Sequence, residues 1–235
     1  MDLKETDILG TDIGAHWYYA SKAKAMMRMI GNKEPKKILD IGAGSGFFSR
    51  YILSHTSSSE AWCVDIGYKS DSDNIENGKS VHYRCSVNSI DADLVLLMDV
   101  LEHVDDDIEL LKDYVSKVPS GSHFLISVPA FQFLWSGHDE FLEHKRRYTL
   151  KQLDAVVQSA GLKVKSQAYY FGMVFPVAVL VRLKQKLQNK IFGSSMTKHH
   201  PLINSILKMI CNIELPFMQF NQLAGLTVFC LAEKP

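Results

Sequence analysis

The sequence predicts a doubly wound α/β fold, and three observations predict it. Apolar runs at residues 61–64, 93–98 and 122–128 lack the in-out alternation of a half-exposed strand, which marks parallel strands covered on both faces. Segments with helical spacing of apolar residues lie between such runs. A further short apolar strand, Lys37–Ile41, leads directly into Gly42, Gly44 and Gly46 and then into a helix beginning at Phe47. Glycines at alternate positions let the backbone turn sharply and approach a ligand, and the following helix offers unpaired N–H groups. A nucleotide-like ligand is the expected guest.

The spacing narrows the choice of nucleotide. A dinucleotide turn reads Gly-x-Gly-x-x-Gly, its third glycine permitting close helix–strand packing. Position 47 is Phe, and the glycines fall at 42, 44 and 46 instead. Asp40, two residues before the first glycine, sets a negative charge beside the turn, which suits an ammonium or sulfonium better than a pyrophosphate. The stretch 37–48 resembles the first motif of class I S-adenosylmethionine (SAM)-dependent methyltransferases, hydrophobic-Leu-Asp-x-Gly-x-Gly-x-Gly. The resemblance implies SAM as the cofactor, with Asp40, Gly42, Gly44 and Gly46 around it. It also implies a Rossmann-like sheet of seven strands whose last strand is antiparallel.

In chain order, residues 1–15 are polar and expected to be poorly ordered. Residues 16–30 have the composition and periodicity of a helix, ended by Gly31-Asn32. Its start, His16-Trp17-Tyr18-Tyr19, resembles the aromatic helix that precedes the glycine loop in a subgroup of these methyltransferases and covers the cofactor. That makes Trp17 a cofactor contact and residues 1–31 a helical lid; plain packing is the alternative. An arginine commonly follows the aromatics in that subgroup, where this chain has Ala20 and Lys22.

The second strand ends in Asp65, 25 positions after Asp40, near the ~20 that a βαβ unit needs to bring an acid to a ribose. Asp65 is therefore expected to accept from both ribose hydroxyls, with Ile66 beside it. A short third strand at 81–85 precedes Ser86, in the region where family members place a polar residue near the adenine amine. Strand four, 93–98, runs into Asp99-Val100-Leu101-Glu102-His103-Val104, which closely resembles the segment after strand four in the same enzymes. Ligands sit at the carboxyl ends of parallel strands, so Met98, Asp99 and Val100 are expected to border the cofactor. His103 is grouped with them, although a His–Glu pair entering a helix also serves simply to orient the loop.

A helix from Asp105 to Val118 carries its acids at the start, complementing the macrodipole, and strand five follows at 122–128. Residues 129–149 hold two histidines, two arginines and several aromatics before a capping box, Thr149-x-x-Gln152, that starts the next helix. A loop of this length and content is rarely mere connection. It resembles the "Val-Pro-Ala…Leu-Trp…His-Asp…His…Arg-Arg-Tyr-Thr" segment of bacterial methyltransferases often assigned to glycans, lipids or secondary metabolites. Trp135, Arg146, Arg147 and Tyr148 are the candidate substrate wall. Bracing of the loop against nearby acids is the competing role for the last three. SAM carries its own electrophile, so the enzyme must align a nucleophile and, for a hydroxyl, remove a proton. His138 and His144 are the candidate bases.

Strand six, 162–170, and a last strand, 226–232, close the fold, with an apolar and basic insertion at 171–222 divided by Pro176, Pro201 and Pro216. It has three readings: a cap over the active site, which ranks first, a homodimer face, or a foot on anionic membrane. The whole chain is read as a single methyltransferase domain over 1–235. A net charge of zero and pI near 7.1 speak against a nucleic-acid partner. The four cysteines show no metal spacing, and no metal is expected. The N-terminus lacks a signal peptide and points to the cytoplasm. The expected activity is O-methylation of a small or medium-sized, partly apolar acceptor, neutral or anionic: a sugar, secondary metabolite, lipid or quinone precursor. N- or C-methylation, a nicotinamide-dependent reductase and a non-catalytic SAM-binding module are the alternatives.

Overall fold

The computed structural model describes residues 13–187 and 200–235, with the side chains of 186 and 187 left out. The N-terminal stretch 1–12 of the expected lid and residues 188–199 of the expected insertion therefore lie outside what is described. Eight strands form one mixed sheet: β1 (Lys37–Ile41), β2 (Glu60–Val64), β3 (Ser72–Glu76), β4 (Lys79–Arg84), β5 (Leu94–Met98), β6 (His123–Pro129), β7 (Lys163–Tyr170) and β8 (Thr227–Glu233). Their spatial order is β3-β4-β2-β1-β5-β6-β8-β7. Strands β4, β2, β1, β5 and β6 pair in parallel, and β8 runs antiparallel between β6 and β7, as the resemblance implies.

The expected count of seven strands needs one addition. Strand β3 pairs antiparallel with β4 through Asn77-Gly78, and both of those residues have positive φ, 53° and 77°. A two-residue turn with positive φ at both positions matches the right-handed twist of a hairpin, which is why Asn-Gly occupies it. Strand β3 is polar apart from Ile75 and exposed, so it extends the edge without adding to the core.

The helices are α1 (Trp17–Ile30), α2 (Phe47–His55), α3 (Asp107–Lys117), α4 (Gly137–Phe141), α5 (Leu150–Ser159), α6 (Phe175–Leu187) and α7 (Pro201–Glu214). The Thr149–Gln152 capping box is present, and Asp106 caps α3 by accepting from the Glu109 N–H. A second box, Ser136 with Asp139, starts the short α4 inside what the sequence presents as one long loop.

Alternation along the strands builds two cores. Ile38, Leu96 and Leu125 face one side with Met26 of α1 and Phe48 and Ile52 of α2. Leu39, Val95 and Phe124 face the other with Leu111 of α3 and Leu153 and Val157 of α5. The strand order reverses between β1 and β5, the switch point at which an open α/β sheet leaves a crevice above its carboxyl ends. Helix α7 lies along α1: the Trp17 N–H donates to Asn204 Oδ1 at 2.7 Å and Lys24 Nζ to Asn212 Oδ1 at 2.8 Å. The insertion is thereby fastened to the N-terminal helix. Its outward face leaves Leu202, Ile203, Met209 and Ile213 half or more exposed. No described helix is long and apolar enough to cross a membrane.

Candidate active site

The turn after β1 is shaped by its glycines. Gly42, Gly44 and Gly46 all have positive φ, and a Cβ on Gly42 would lie 2.8 Å from Val100 Cγ2, inside contact distance. The turn is pinned from β2 by Ala43 N–H to Val64 O at 3.1 Å, Gly44 N–H to Asp65 Oδ2 at 2.9 Å and Tyr68 Oη to Gly44 O at 2.6 Å. Asp65 also accepts from the Gly67 N–H at 2.8 Å through Oδ1. Each carboxylate oxygen has two lone pairs, so a carboxylate accepts from more than one donor at a time.

A cavity of about 370 Å³ opens where β1, β2 and β5 end. Its wall brings together Gly42, Asp65, Ile66, Asp99, Val100 and His103, six of the residues singled out from the sequence. It also includes Val104, Leu110, Tyr114, Leu142 and Glu143, none of them a site residue expected from the sequence. Leu110 and Tyr114 are one helical turn apart on α3, a spacing that marks a shared face but does not say what the face meets.

Several other predicted contacts lie away from this wall. Asp40 is buried beneath the turn, where Ser49 Oγ of α2 donates to it, so its charge faces the helix start. Met98 is buried in the sheet, Ser86 is exposed on the loop after β4, and Gly44 and Gly46 support the turn from behind. Trp17 packs edge-on against Phe171 with ring centroids 5.7 Å apart.

Lys22 is completely buried and pairs with Asp99, with Tyr18 Oη a further partner 3.2 Å away. Burial pulls its pKa down, but the Asp99 and Tyr18 interactions more than offset this and leave it above the ordinary lysine value. Asp99 sits at φ 58°, a left-handed conformation that a non-glycine residue adopts only when its surroundings impose it. Here the surroundings are the ion pair, the Asp99 N–H bond to Ser127 O at 2.9 Å and the Ser127 Oγ bond at 3.2 Å. Phe131, Glu143 and Phe171 share this left-handed φ.

The connection 129–149 folds against the same end of the sheet. Arg147 holds Asp139 from two nitrogens, at 2.7 and 3.0 Å, and Asp139 Oδ1 lies 2.9 Å from His144 Nδ1. Burial opposes ionisation of Asp139, but the hydrogen bonds from His144 and Arg147 prevail and hold its carboxyl well below the usual range. Arg146 reaches Asp107 and the carbonyls of Val104 and Asp105, and Tyr148 Oη donates to Asp107 Oδ2 at 2.7 Å. These are the bracing contacts that compete with a substrate role for Arg146, Arg147 and Tyr148. Neither they nor Trp135 line the cavity.

Of the two candidate bases, His138 is desolvated, and burial pushes its pKa down to about 4 despite the opposing charge of Asp139. His144 stands directly behind His103, their rings meeting edge to face at 4.8 Å. Glu102, fully buried beside them, has its carboxyl pushed well above the ordinary value by burial and then by the Asp99 charge.

Comparison with known proteins gives the context of this geometry. Residues 15–167 match the family model described as a methyltransferase domain. No curated protein matches the chain. Among solved structures, the chain is similar to an S-adenosylmethionine-dependent methyltransferase from Mesorhizobium loti, with 13% identity over 92% of this chain and 99% of the other and a TM-score of 0.56. It is similar to the plantazolicin methyltransferase BpumL in complex with SAH, with 15% identity, coverage of 99% and 86% and a TM-score of 0.56. It is also similar to Haemonchus contortus phosphoethanolamine N-methyltransferase 2 in complex with S-adenosyl-L-methionine, with 15% identity, coverage of 91% and 52% and a TM-score of 0.55. At these identities the structural likeness concerns the fold.

Proposed function

The chain belongs to the methyltransferase domain family, as a class I enzyme that uses SAM, and from that premise we propose that it methylates an oxygen of a small or medium-sized, partly apolar acceptor. The observation that carries the reading is the cavity at the switch point, with Asp65 and Gly42 on one side and His103 on the other.

The residues present fit the cofactor. Gly42 gives close access to backbone, and Asp65, already fixed by Gly44 and Gly67, offers acceptors to ribose hydroxyls. The apolar side chains of Val64, Ile66, Val100 and Leu110 suit the faces of an adenine. When bound, the cofactor supplies an electrophilic methyl group on a sulfonium. Lys22 and Asp99 keep the lid helix and the β5 exit in one arrangement, so the charged neighbourhood of the transfer is set before substrate arrives.

His103 is the one imidazole among the described residues that lines the cavity, so the acceptor hydroxyl is placed there, against the apolar Leu142 and Val104. His144 backs His103. This role for His144 keeps one of the two sequence candidates. His138 is assigned to the Asp139–Arg147 array instead, since a group with a pKa near 4 is a weak proton acceptor at neutral pH. The insertion is read as a cap that acts through α1, to which it is bonded.

The test is incubation with SAM carrying an isotopically labelled methyl group and a panel of hydroxylated acceptors, followed by NMR of the product. A new methyl on oxygen is expected, and His103→Ala is expected to lower kcat by about 100-fold or more. A product methylated on nitrogen or carbon would overturn the oxygen assignment.

A further inference from the structure

Behind His103 the fold collects side chains that methyl transfer from a sulfonium does not itself require. Glu102 and His103 lie in the turn that leaves β5, and His144 comes from the far end of the connection after β6. Each brings one donor atom into a cluster whose members lie within 4.8 Å of one another. A backbone bond holds the two segments together, Lys145 N–H to Glu102 O at 2.7 Å, and His144 N–H to Asp139 O at 2.9 Å fixes the fold of the connection itself.

Two polar groups point into this cluster without partners. Glu102 is fully buried, and neither of its carboxylate oxygens meets a donor from another described residue. His144 Nε2 is likewise buried with no partner, in a side chain only 6% exposed. Leaving such groups unmade costs about 1–3 kcal/mol each, more for a charge, so a fold that retains them calls for an explanation.

The opposite edge of His144 supplies it. The Asp139 carboxylate, gripped by Arg147, accepts a hydrogen bond from His144 Nδ1–H, which leaves the Nε2 lone pair for the cluster. A carboxylate behind a histidine is the way proteins fix the tautomer and aim of a metal ligand. Two imidazoles with one carboxylate form the donor set of divalent transition-metal sites that keep open positions.

We propose that Glu102, His103 and His144 bind a divalent transition-metal ion of the zinc class, with Asp139 and Arg147 as positioning residues for His144. The mixed nitrogen and oxygen donors favour such an ion over magnesium or calcium, which take oxygen ligands. Because His103 also lines the cavity, the site adjoins the space assigned to the acceptor. On the reading of oxygen methylation given above, the ion polarises the acceptor hydroxyl; the site itself does not depend on that reading.

The test uses the full chain without an affinity tag, stripped with a chelator and titrated with Co²⁺ by visible spectroscopy, with Zn²⁺ as competitor. One equivalent of Co²⁺ is expected to bind with the visible bands of a low-coordinate site and to be displaced by Zn²⁺. His144→Ala and His103→Gln should each weaken uptake at least tenfold, and Asp139→Asn should weaken it about 10–100-fold while changing the bands. Melting and S-adenosylhomocysteine (SAH) binding are recorded for each variant; if one does not fold, the other histidine variant decides. No uptake of either ion by the wild type at micromolar concentration, or equal uptake by the folded variants, overturns the site. Loss of SAH binding by the wild type would instead count against the methyltransferase site and leave the metal result standing.

Discussion

His138 is the residue whose environment departs most from what its position in the sequence suggests. Following Ser136-Gly137, it reads as a mobile base, yet it lies within the first turn of α4 among Asp139, His144, Arg147 and Arg182. Burial lowers its pKa from 6.5 to about 4, so the folded protein prefers the neutral ring. The sign of the linkage follows: the unfolded chain binds this proton more readily, so the stability it represents is intact above about pH 6.5 and is lost as pH falls toward 4. A shift of that size corresponds to roughly 3 kcal/mol. Chemical denaturation of His138→Gln and wild type across this range is expected to show a flatter acid limb for the variant. Parallel limbs would mean that the ring is not desolvated in solution.

Among elements, α1 and the exit of β5 are joined by a buried ion pair, Lys22 with Asp99. Removing one partner of a buried pair costs about 3–5 kcal/mol, because the other charge is left uncompensated, whereas replacing both is far less costly. Lys22→Met is therefore expected to lower the melting midpoint by roughly 6–20 °C, and Lys22→Met with Asp99→Asn to recover more than half of that loss. A double variant as unstable as the single one would mean that Lys22 acts through packing rather than charge. This pair also marks where local sequence reasoning stops. A lysine in an amphipathic helix looks solvated, and its partner is 77 positions away. The same holds for Glu102 and His144, whose meeting depends on how a long connection folds back. By contrast, α2, α3, α5 and the parallel strands were legible, because each is written locally in apolar periodicity, caps and glycines. Strand β3 was hidden by its polar composition, although Asn77-Gly78 carried the hairpin signal. The buried face of α4 was foreshadowed by the Ser136-x-x-Asp139 box inside the loop.

At the scale of the whole molecule, the sheet order gathers the ends of three strands at one crevice and so unites residues from 41 to 143 in one cavity. The glycine turn, Asp65, Asp99, Val100 and His103 were recognisable beforehand because ligand sites of this architecture fall at strand ends, at predictable offsets. The outer wall from α3 and from Leu142 and Glu143 was not, since it is set by helix docking and loop closure. The central claim is that this crevice holds SAM, and calorimetric titration with SAH tests it most directly, with NADH as control and Asp65→Ala as variant. Micromolar binding of SAH by the wild type, at least tenfold weaker in a variant that still melts cooperatively, and no binding of NADH is the predicted result. Absence of SAH binding, or binding of NADH in its place, would contradict the account.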